Sequence, residues 1–366
     1  MKIPFSYLER QFAEIEPYLK DIGELVALAD FTLGSAVAEF ENQFANYIGL
    51  PNAVGVGSGT DALILTLKRL GIGPGDEVIT AANSFIATVG AIVYTGAHPV
   101  FVDSEEGFVI DARQIEDAIT EKTRAIIPVH YTGNVADMPA VMKIAERYEL
   151  QVIEDCAQAI GAQLDGRPVG SWGKAGAFSI HPLKNINVWG DGGLILTSDD
   201  VFAEELRLYR NHGLTDRDHV KLFGINCRLD SIQAVIGKRL MPQAPAILKR
   251  RVQLAHLFDE AFSNVDGISV PIRRPGVRHV YHLYILRVEQ RDKLLAHLHN
   301  RGTEAKVHYP IPIHLQDAAS HLGYKKGDFP VTEADADTII TLPAHQHIND
   351  AEANQIIGQV HEFYGH

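Results

Sequence analysis

Only two cysteines, Cys156 and Cys227, occur in 366 residues, which excludes a disulfide framework and fits a reducing compartment. No stretch reaches the roughly 18 to 20 uninterrupted apolar residues that a membrane helix needs. The opening Met-Lys-Ile-Pro-Phe-Ser has no apolar run after its lysine, so neither a membrane span nor a signal peptide is expected, and the setting read from the sequence is cytoplasmic. An excess of positive charge is also lacking. The formal net charge of -13 argues against nucleic acid and membrane partners, while leaving room for a local basic pocket that receives a phosphorylated ligand. Seventeen histidines are present, yet no His-Glu-x-x-His or paired Cys-x-x-Cys spacing appears, so no metal is expected. Gly55-x-Gly57-x-Gly59 misses the Gly-x-Gly-x-x-Gly dinucleotide spacing, and no Gly-x-Ser-x-Gly elbow supports a hydrolase. Internal repeats and low-complexity tracts are absent too.

What is there is a chain of ordinary globular composition, long enough for a large domain plus a smaller one. Residues 5 to 49 have helical spacing, interrupted by a turn at Phe31-Thr-Leu-Gly34. From Ala53 onward short apolar runs alternate with helical patterns. Strands are expected at 53–57, 77–80, 99–103, 124–130, 151–155, 175–180 and 193–197, with helices at about 62–70, 84–94, 112–120 and 138–148. Near-continuous apolar strands alternating with helices predict a mostly parallel sheet covered on both faces. A short return after the 175–180 strand predicts at least one antiparallel neighbour. Helical patterns follow at 201–209 and 230–262, the second broken by Pro242 and Pro245. After Pro271-Ile-Arg-Arg-Pro-Gly276, a strand at 280–288 and helices at 290–301 and 349–364 suggest a small α+β domain. The division expected is 1–240 for an N-terminal segment and large domain, and 241–366 for the small one.

Ligands of such sheets bind beyond the carboxyl ends of the strands, which singles out Ser58 to Asp61, Ser84 and Phe85, His130 and Tyr131, and Asp155 to Gln158. Ser58-Gly-Thr-Asp61 ends a strand and opens a helix. It is either a phosphate site, with backbone N–H groups, the helix dipole and the Ser58 and Thr60 hydroxyls as donors, or a plain helix cap. The Asp61 carboxylate would repel a phosphate unless it points outward. Asp155 closes an apolar strand and needs a partner. A protonated pyridine nitrogen, a helix cap or a buried arginine would each serve, and Glu154 beside it faces the opposite side of the sheet. Phe85 either stacks on a planar ring or joins the core, and Ser179 could add a second phosphate hydroxyl. Lys184 lies between Phe178, Ile180 and Leu183 on one side and Ile186, Val188 and Trp189 on the other. Apolar company pulls an amine's pKa down and fits it to form a Schiff base; the bland alternative is a surface lysine on a Gly-rich turn. Asn226 and Arg228 in Gly224-Ile-Asn-Cys-Arg228 suit an oxygen-rich anion or simple solvation. His308-Tyr-Pro-Ile-Pro-Ile-His314 is a proline-stiffened loop suited to a pocket rim.

Together these stretches resemble the DegT/DnrJ/EryC1/StrS family of pyridoxal-phosphate sugar aminotransferases, which have the fold-type I aspartate-aminotransferase architecture. The resemblance runs through Phe31-Thr-Leu-Gly34, Ser58 to Leu63, Gly75-Asp-Glu-Val78, Gly96 to Asp103, Ile153 to Gln158, Phe178 to Gly193, Arg210-Asn-His-Gly213, Gly224 to Arg228 and His308-Tyr-Pro310. It implies that Lys184 is the Schiff-base lysine and that Asp155 partners the pyridine nitrogen. Phe85 would stack on the ring, Gln158 would lie near its 3-hydroxyl side, and Gly59, Thr60 and Ser179, with Asp61 in the same turn, would hold the phosphate. Asn226 would reach the cofactor phosphate of a neighbouring subunit, implying a homodimer with shared active sites. Lys184 would carry a proton between the donor carbon and the cofactor. L-Glutamate is the implied donor, with pyridoxamine phosphate as the intermediate cofactor form, and the acceptor is a keto sugar, most often nucleotide-linked. His181, Arg228, His308 and Tyr309 are candidates to contact the substrate.

Two departures bear on that acceptor. Cys227 stands where many relatives have an aromatic residue, and the His181 to Asp191 run differs from the commoner form after the lysine. A longer keto-deoxy sugar acid is therefore an alternative acceptor. A sugar dehydratase of the same superfamily would replace the lysine with histidine, and a regulator without turnover would lose Lys184 or Asp155. Both residues are present.

Overall fold

The computed structural model describes residues 2–365. Seven strands form the main sheet: β1 (Asn52–Val56), β2 (Glu77–Ala81), β3 (His98–Val102), β4 (Thr123–Ile127), β5 (Gln151–Asp155), β6 (Ala175–Ser179) and β7 (Gly193–Thr197). Their order is β1-β7-β6-β5-β4-β2-β3. Strand β7 pairs antiparallel with both β1 and β6, and the other pairs are parallel. This is the mostly parallel sheet the alternation predicts, with the antiparallel return placed directly after the lysine segment.

Both faces are covered, which is why the strands read as continuous apolar runs. In β7, Leu194 and Leu196 enter a core with Phe40, Phe44 and Phe178, while Ile195 enters the opposite core with Val54, Ile153 and Leu206. A third core gathers Leu254, Phe258, Phe262, Leu286, Ile340 and Ile356. It surrounds a small antiparallel sheet of β8 (Ile268–Ser269), β9 (Tyr284–Val288) and β10 (Ile339–Leu342). The Ala244–Phe262 helix joins the two parts: Ala244, Ile247 and Leu248 sit in the first core, Leu254 to Phe262 in the third. Ile3 belongs to the third core, so the N-terminal segment crosses to the small unit before the large one begins. Among the described residues no helix is long and apolar enough to cross a membrane.

Three expected elements differ. The 112–120 helix is replaced by two 3-10 turns, Ala112–Gln114 and Glu116–Ala118. There the Asp111 carboxylate caps the first turn, taking the Arg113 N–H at 3.0 Å and side-chain donors of Arg113 and Gln114. The 230–262 pattern divides into Ser231–Leu240, a 3-10 turn at Met241–Gln243 and Ala244–Phe262, as the prolines require. The strand expected from Val280 starts at Tyr284, because Tyr281 has φ 45° and breaks the extension.

Glu154 does face away from Asp155, and its role is structural. Its buried carboxylate accepts the N–H groups of Gly170 (2.8 Å), Trp172 (2.7 Å) and Gly173 (2.9 Å). His130 Nδ1 accepts the Ala136 N–H (3.2 Å), which leaves Nε2–H to donate to Glu154 (3.0 Å). Cys156, buried and free, completes this group. Substituting Glu154→Ala strands four donors away from water, so we expect a loss of roughly 3–5 kcal/mol of stability, read as a lowered urea midpoint. A midpoint within error of the parent would contradict this assignment.

Candidate active site

Strands β1, β5 and β6 end at the same edge of the sheet, where Ser58 just after β1, Asp155 at the end of β5 and Ser179 at the end of β6 line a cavity of about 320 Å³. After β1 the chain turns at Ser58 into the Gly59–Arg69 helix, and Ser58, Gly59 and Thr60 line the cavity. Close approach is enforced by glycine: a Cβ on Gly59 would meet Ser179 Cβ at 2.7 Å, and one on Gly193 would meet the Ser58 carbonyl at 2.2 Å. The cap reading of this turn also holds, since Ser58 Oγ accepts the Asp61 N–H at 3.0 Å. The same hydroxyl donates to the Asp61 carboxylate at 2.9 Å. That bond turns the Asp61 carboxylate back toward Gly57 and Cys227. Its charge therefore does not line the cavity, and the cation-like end of the helix stays open to an anion. The expected cofactor contact through Asp61 thus finds no side chain of Asp61 on the cavity wall.

Asp155 terminates β5 and is 6% exposed. Thr88, on the Ile86–Thr95 helix, donates its hydroxyl to Oδ2 (2.8 Å), and Ala157 N–H donates to Oδ1 (3.1 Å). Ser84 bonds Thr88 in turn at 2.8 Å. No arginine pairs with Asp155 among the described residues, so of the three partners considered, the cap-like amide is met and a cationic one is left to a ligand. Phe85 is 47% exposed and lines the cavity, 5.8 Å from the Tyr309 ring. Gln158 Oε1 accepts the Thr132 N–H at 2.7 Å, and Gln158 and Ser179 both line the cavity.

Lys184 rises from a turn closed by its own N–H on the His181 carbonyl (2.8 Å), and its carbonyl accepts the Tyr7 hydroxyl at 2.6 Å. Burial lowers its amine from the ordinary lysine range to about 8, with the Asp155 charge opposing part of that fall. His181, on the rim, accepts the Leu183 N–H and is lowered by burial and by Lys184. His308 is pushed down to about 4 by burial and bonds Thr341 at 3.0 Å. Tyr309 is pushed up to about 12 by burial, the Asp155 charge adding to it. Both line the cavity.

Asn226 and Arg228 do not. Asn226 is exposed and bridges Asn211, and Arg228 donates to Asn211 at 3.1 Å. Their loop lies away from the cavity, with Asn226 open to solvent. Other lining residues had no local motif to mark them. Phe5 and Tyr7 fall in a segment whose periodicity reads as helix, and Arg251, His282 and His345 come from separate elements of the small unit. The clue available was the histidine-rich composition near the C-terminus, which names no pocket by itself.

The residues fit a phosphorylated aldehyde cofactor: a glycine cradle at a helix end, a depressed lysine amine, a carboxylate free of arginine and an exposed aromatic face surround one cavity. The model of the DegT/DnrJ/EryC1/StrS aminotransferase family matches residues 14–361. A pleiotropic regulatory protein of Geobacillus stearothermophilus is 40% identical over the whole of both chains. A UDP-N-acetyl-3-dehydro-alpha-D-glucosamine 3-aminotransferase of Acidithiobacillus ferrooxidans is 40% identical over 97% of this chain and 96% of its own. The crystal structure of Streptomyces venezuelae DesV in complex with a ketimine intermediate superposes with a TM-score of 0.97, at 37% identity, covering 100% of this chain and 99% of that one. On this match of sequence, fold and pocket, the chain belongs to the DegT/DnrJ/EryC1/StrS aminotransferase family.

Proposed function

We propose that this protein moves an amino group from L-glutamate to a nucleotide-linked keto sugar, in amino-sugar biosynthesis, with pyridoxal phosphate as cofactor. The observation that carries this reading is the convergence of Lys184, Asp155 and the Ser58–Thr60 turn on one cavity. When bound, pyridoxal phosphate supplies a carbonyl for amine capture and a sink for electrons released when the adjacent C–H bond breaks.

The chain's own residues divide the remaining work. Gly59, Thr60 and Ser179 offer amides and hydroxyls to the phosphate. Asp155, held by Thr88 and Ala157, would present negative charge to the pyridine nitrogen and favour its protonated form. Phe85, whose exposed face lines the cavity, would pack on the ring, and Gln158 would lie at its hydroxyl side. Lys184 Nζ, partly neutral at physiological pH, would hold the cofactor and would accept and return the proton of the donor carbon. Tyr7 fixes the lysine backbone through its hydroxyl on the Lys184 carbonyl. His181, His308 and Tyr309 form the mouth where a sugar would enter, and Arg228 would meet it from a partner subunit.

A homodimer is part of this reading. Phe223 is 98% exposed, and Val220 and Ile225 beside it are exposed as well, an apolar edge on the loop that holds Asn226. So is the division near residue 240 into a cofactor-binding unit and a smaller unit, supported by the separate cores that meet along the Ala244–Phe262 helix. Two free, buried cysteines support a cytoplasmic setting.

The test is a split reaction. Holoenzyme given L-glutamate without acceptor should release one 2-oxoglutarate per active site, and a nucleotide-linked keto sugar added afterwards should be aminated stoichiometrically. Failure to react with any amine donor would sink the proposal.

A further inference from the structure

We propose that Arg251 is the receptor for a substrate carboxylate inside the Lys184 cavity, an assignment that rests on the aminotransferase reading above. Arg251 is on the Ala244–Phe262 helix, is 2% exposed, and lines the cavity. No aspartate or glutamate among the described residues pairs with it. Its guanidinium donates to Gln346 Oε1 (3.0 Å) and to the carbonyls of Tyr281 and His282 (both 3.2 Å), and it lies 5.3 Å from the Tyr7 ring centroid. A buried cation satisfied by neutral oxygens alone is costly, and a planar fork of donors matches a carboxylate bidentately.

The charges around it support a ligand anion. Burial, then Lys184 and Arg251, hold His282 well below the usual histidine range, so His282 is neutral beside Arg251, while the cavity's carboxylate, Asp155, acts on Lys184 and pairs with no arginine among the described residues. Asn185 Nδ2 donates to the Val280 carbonyl (3.3 Å), so Asn185 Oδ1 accepts from His282 Nδ1 (3.1 Å). His282 can therefore give Arg251 no negative charge. On the other side of Tyr7, at 5.2 Å between rings, His345 donates Nε2–H to the Pro4 carbonyl (3.3 Å). Its Nδ1 is buried with no hydrogen-bond partner. A molecule with a carboxylate and a neighbouring ammonium or hydroxyl would satisfy both groups at once. An amino-acid donor has that pairing, and so does a keto sugar acid as acceptor.

The experiment compares holoenzyme with Arg251→Gln and Arg251→Lys in separate half-reactions. In the donor arm, L-glutamate is set against benzylamine, which has no carboxylate. In the acceptor arm, pyridoxamine-loaded enzyme is given a keto sugar acid and the same sugar as its carboxamide. We expect Arg251→Gln to lower kcat/KM for the carboxylate-bearing member of one arm roughly 10- to 100-fold, with its uncharged counterpart within about twofold. Selective loss in the donor arm identifies the amino acid as the source of the carboxylate; selective loss in the acceptor arm identifies a sugar acid. Arg251→Lys keeps the charge without the fork and should recover part of the loss. Should Arg251→Gln not accumulate, Arg251→Lys carries the comparison, with the same selectivity and a smaller effect. Equal losses with charged and uncharged substrates, or none, overturn the assignment while leaving transamination intact. Parent enzyme that is inert toward every amine overturns the aminotransferase reading instead.

Discussion

Replacing Lys184 with alanine should lower transamination by at least ~10⁴-fold, because the proposed mechanism asks one amine to be both the covalent anchor and the proton carrier. Its environment is built for both tasks. An ordinary lysine at pH 7 has a negligible neutral fraction, whereas an amine lowered to about 8 has roughly a tenth of its population neutral. The sign gives a second readout. Below pH 8 the neutral fraction falls tenfold per unit, so cofactor capture by apoenzyme should slow by that factor between pH 7 and pH 6. Above pH 8 it should level off. Borohydride reduction followed by peptide mapping should place the cofactor on the peptide containing Lys184, and trapping at Lys174 or Lys306 would refute the assignment. The alanine variant should retain its fold, since among the described residues no side-chain hydrogen bond of Lys184 supports its neighbours; Tyr7 bonds the backbone carbonyl, which the substitution keeps.

Some of this site was legible in the residues because it is local. Ser58-Gly-Thr-Asp61 and the Asp155 terminus lie within a few positions of apolar strands, and the rule that ligands sit beyond strand ends places both at one edge. Glu154 and Asp155 are adjacent, yet strand alternation separates their roles, and the structure shows one under the 170–173 turn and the other at the cavity. Whether Ser58 caps the helix or faces a ligand could not be settled by motif. It does the first through its side chain, and the turn it closes leaves Gly59 and Thr60 facing the cavity. Asp61 illustrates the same limit. Its sequence position predicts a contact, and a single bond to Ser58 turns its carboxylate away.

What escaped the sequence is the wall built from distant segments. Tyr7 and Lys184 are 177 positions apart and share a 2.6 Å bond; Arg251 reaches Gln346 across 95. Such contacts depend on how the small unit packs on the large sheet, and periodicity carries no signal for that. The N-terminal segment is the clearest case, since its apolar spacing describes helices while Ile3 pairs with Thr303 of the small unit. The same packing makes the cavity asymmetric. The sheet side supplies cofactor-type contacts from compact motifs, and the small-unit side supplies Arg251, His282 and His345 singly from separate elements.

Asp155→Asn isolates electrostatics from geometry and should lower kcat by about 10²–10⁴-fold with little change in cofactor content. Asparagine keeps the shape: its Oδ1 can accept the Ala157 N–H while its Nδ2 donates to the Thr88 oxygen, the Thr88 hydroxyl turning to Ser84, so the pocket should persist. What it removes is the charge that favours a protonated ring nitrogen, and with it the ability of the ring to take up electrons as the donor C–H bond breaks. The lysine should report the change independently. The Asp155 charge raises the Lys184 pKa against the fall caused by burial, so neutralising it must move that pKa further down, below about 8. The plateau in the pH dependence of cofactor capture should then begin at lower pH in the variant than in the parent. The two effects have opposite consequences: capture becomes easier near neutral pH while turnover collapses. A variant in which capture and turnover fall together would instead indicate a collapsed pocket, and Thr88→Val, which removes one donor while keeping the carboxylate charge, would distinguish that outcome by sparing most of kcat.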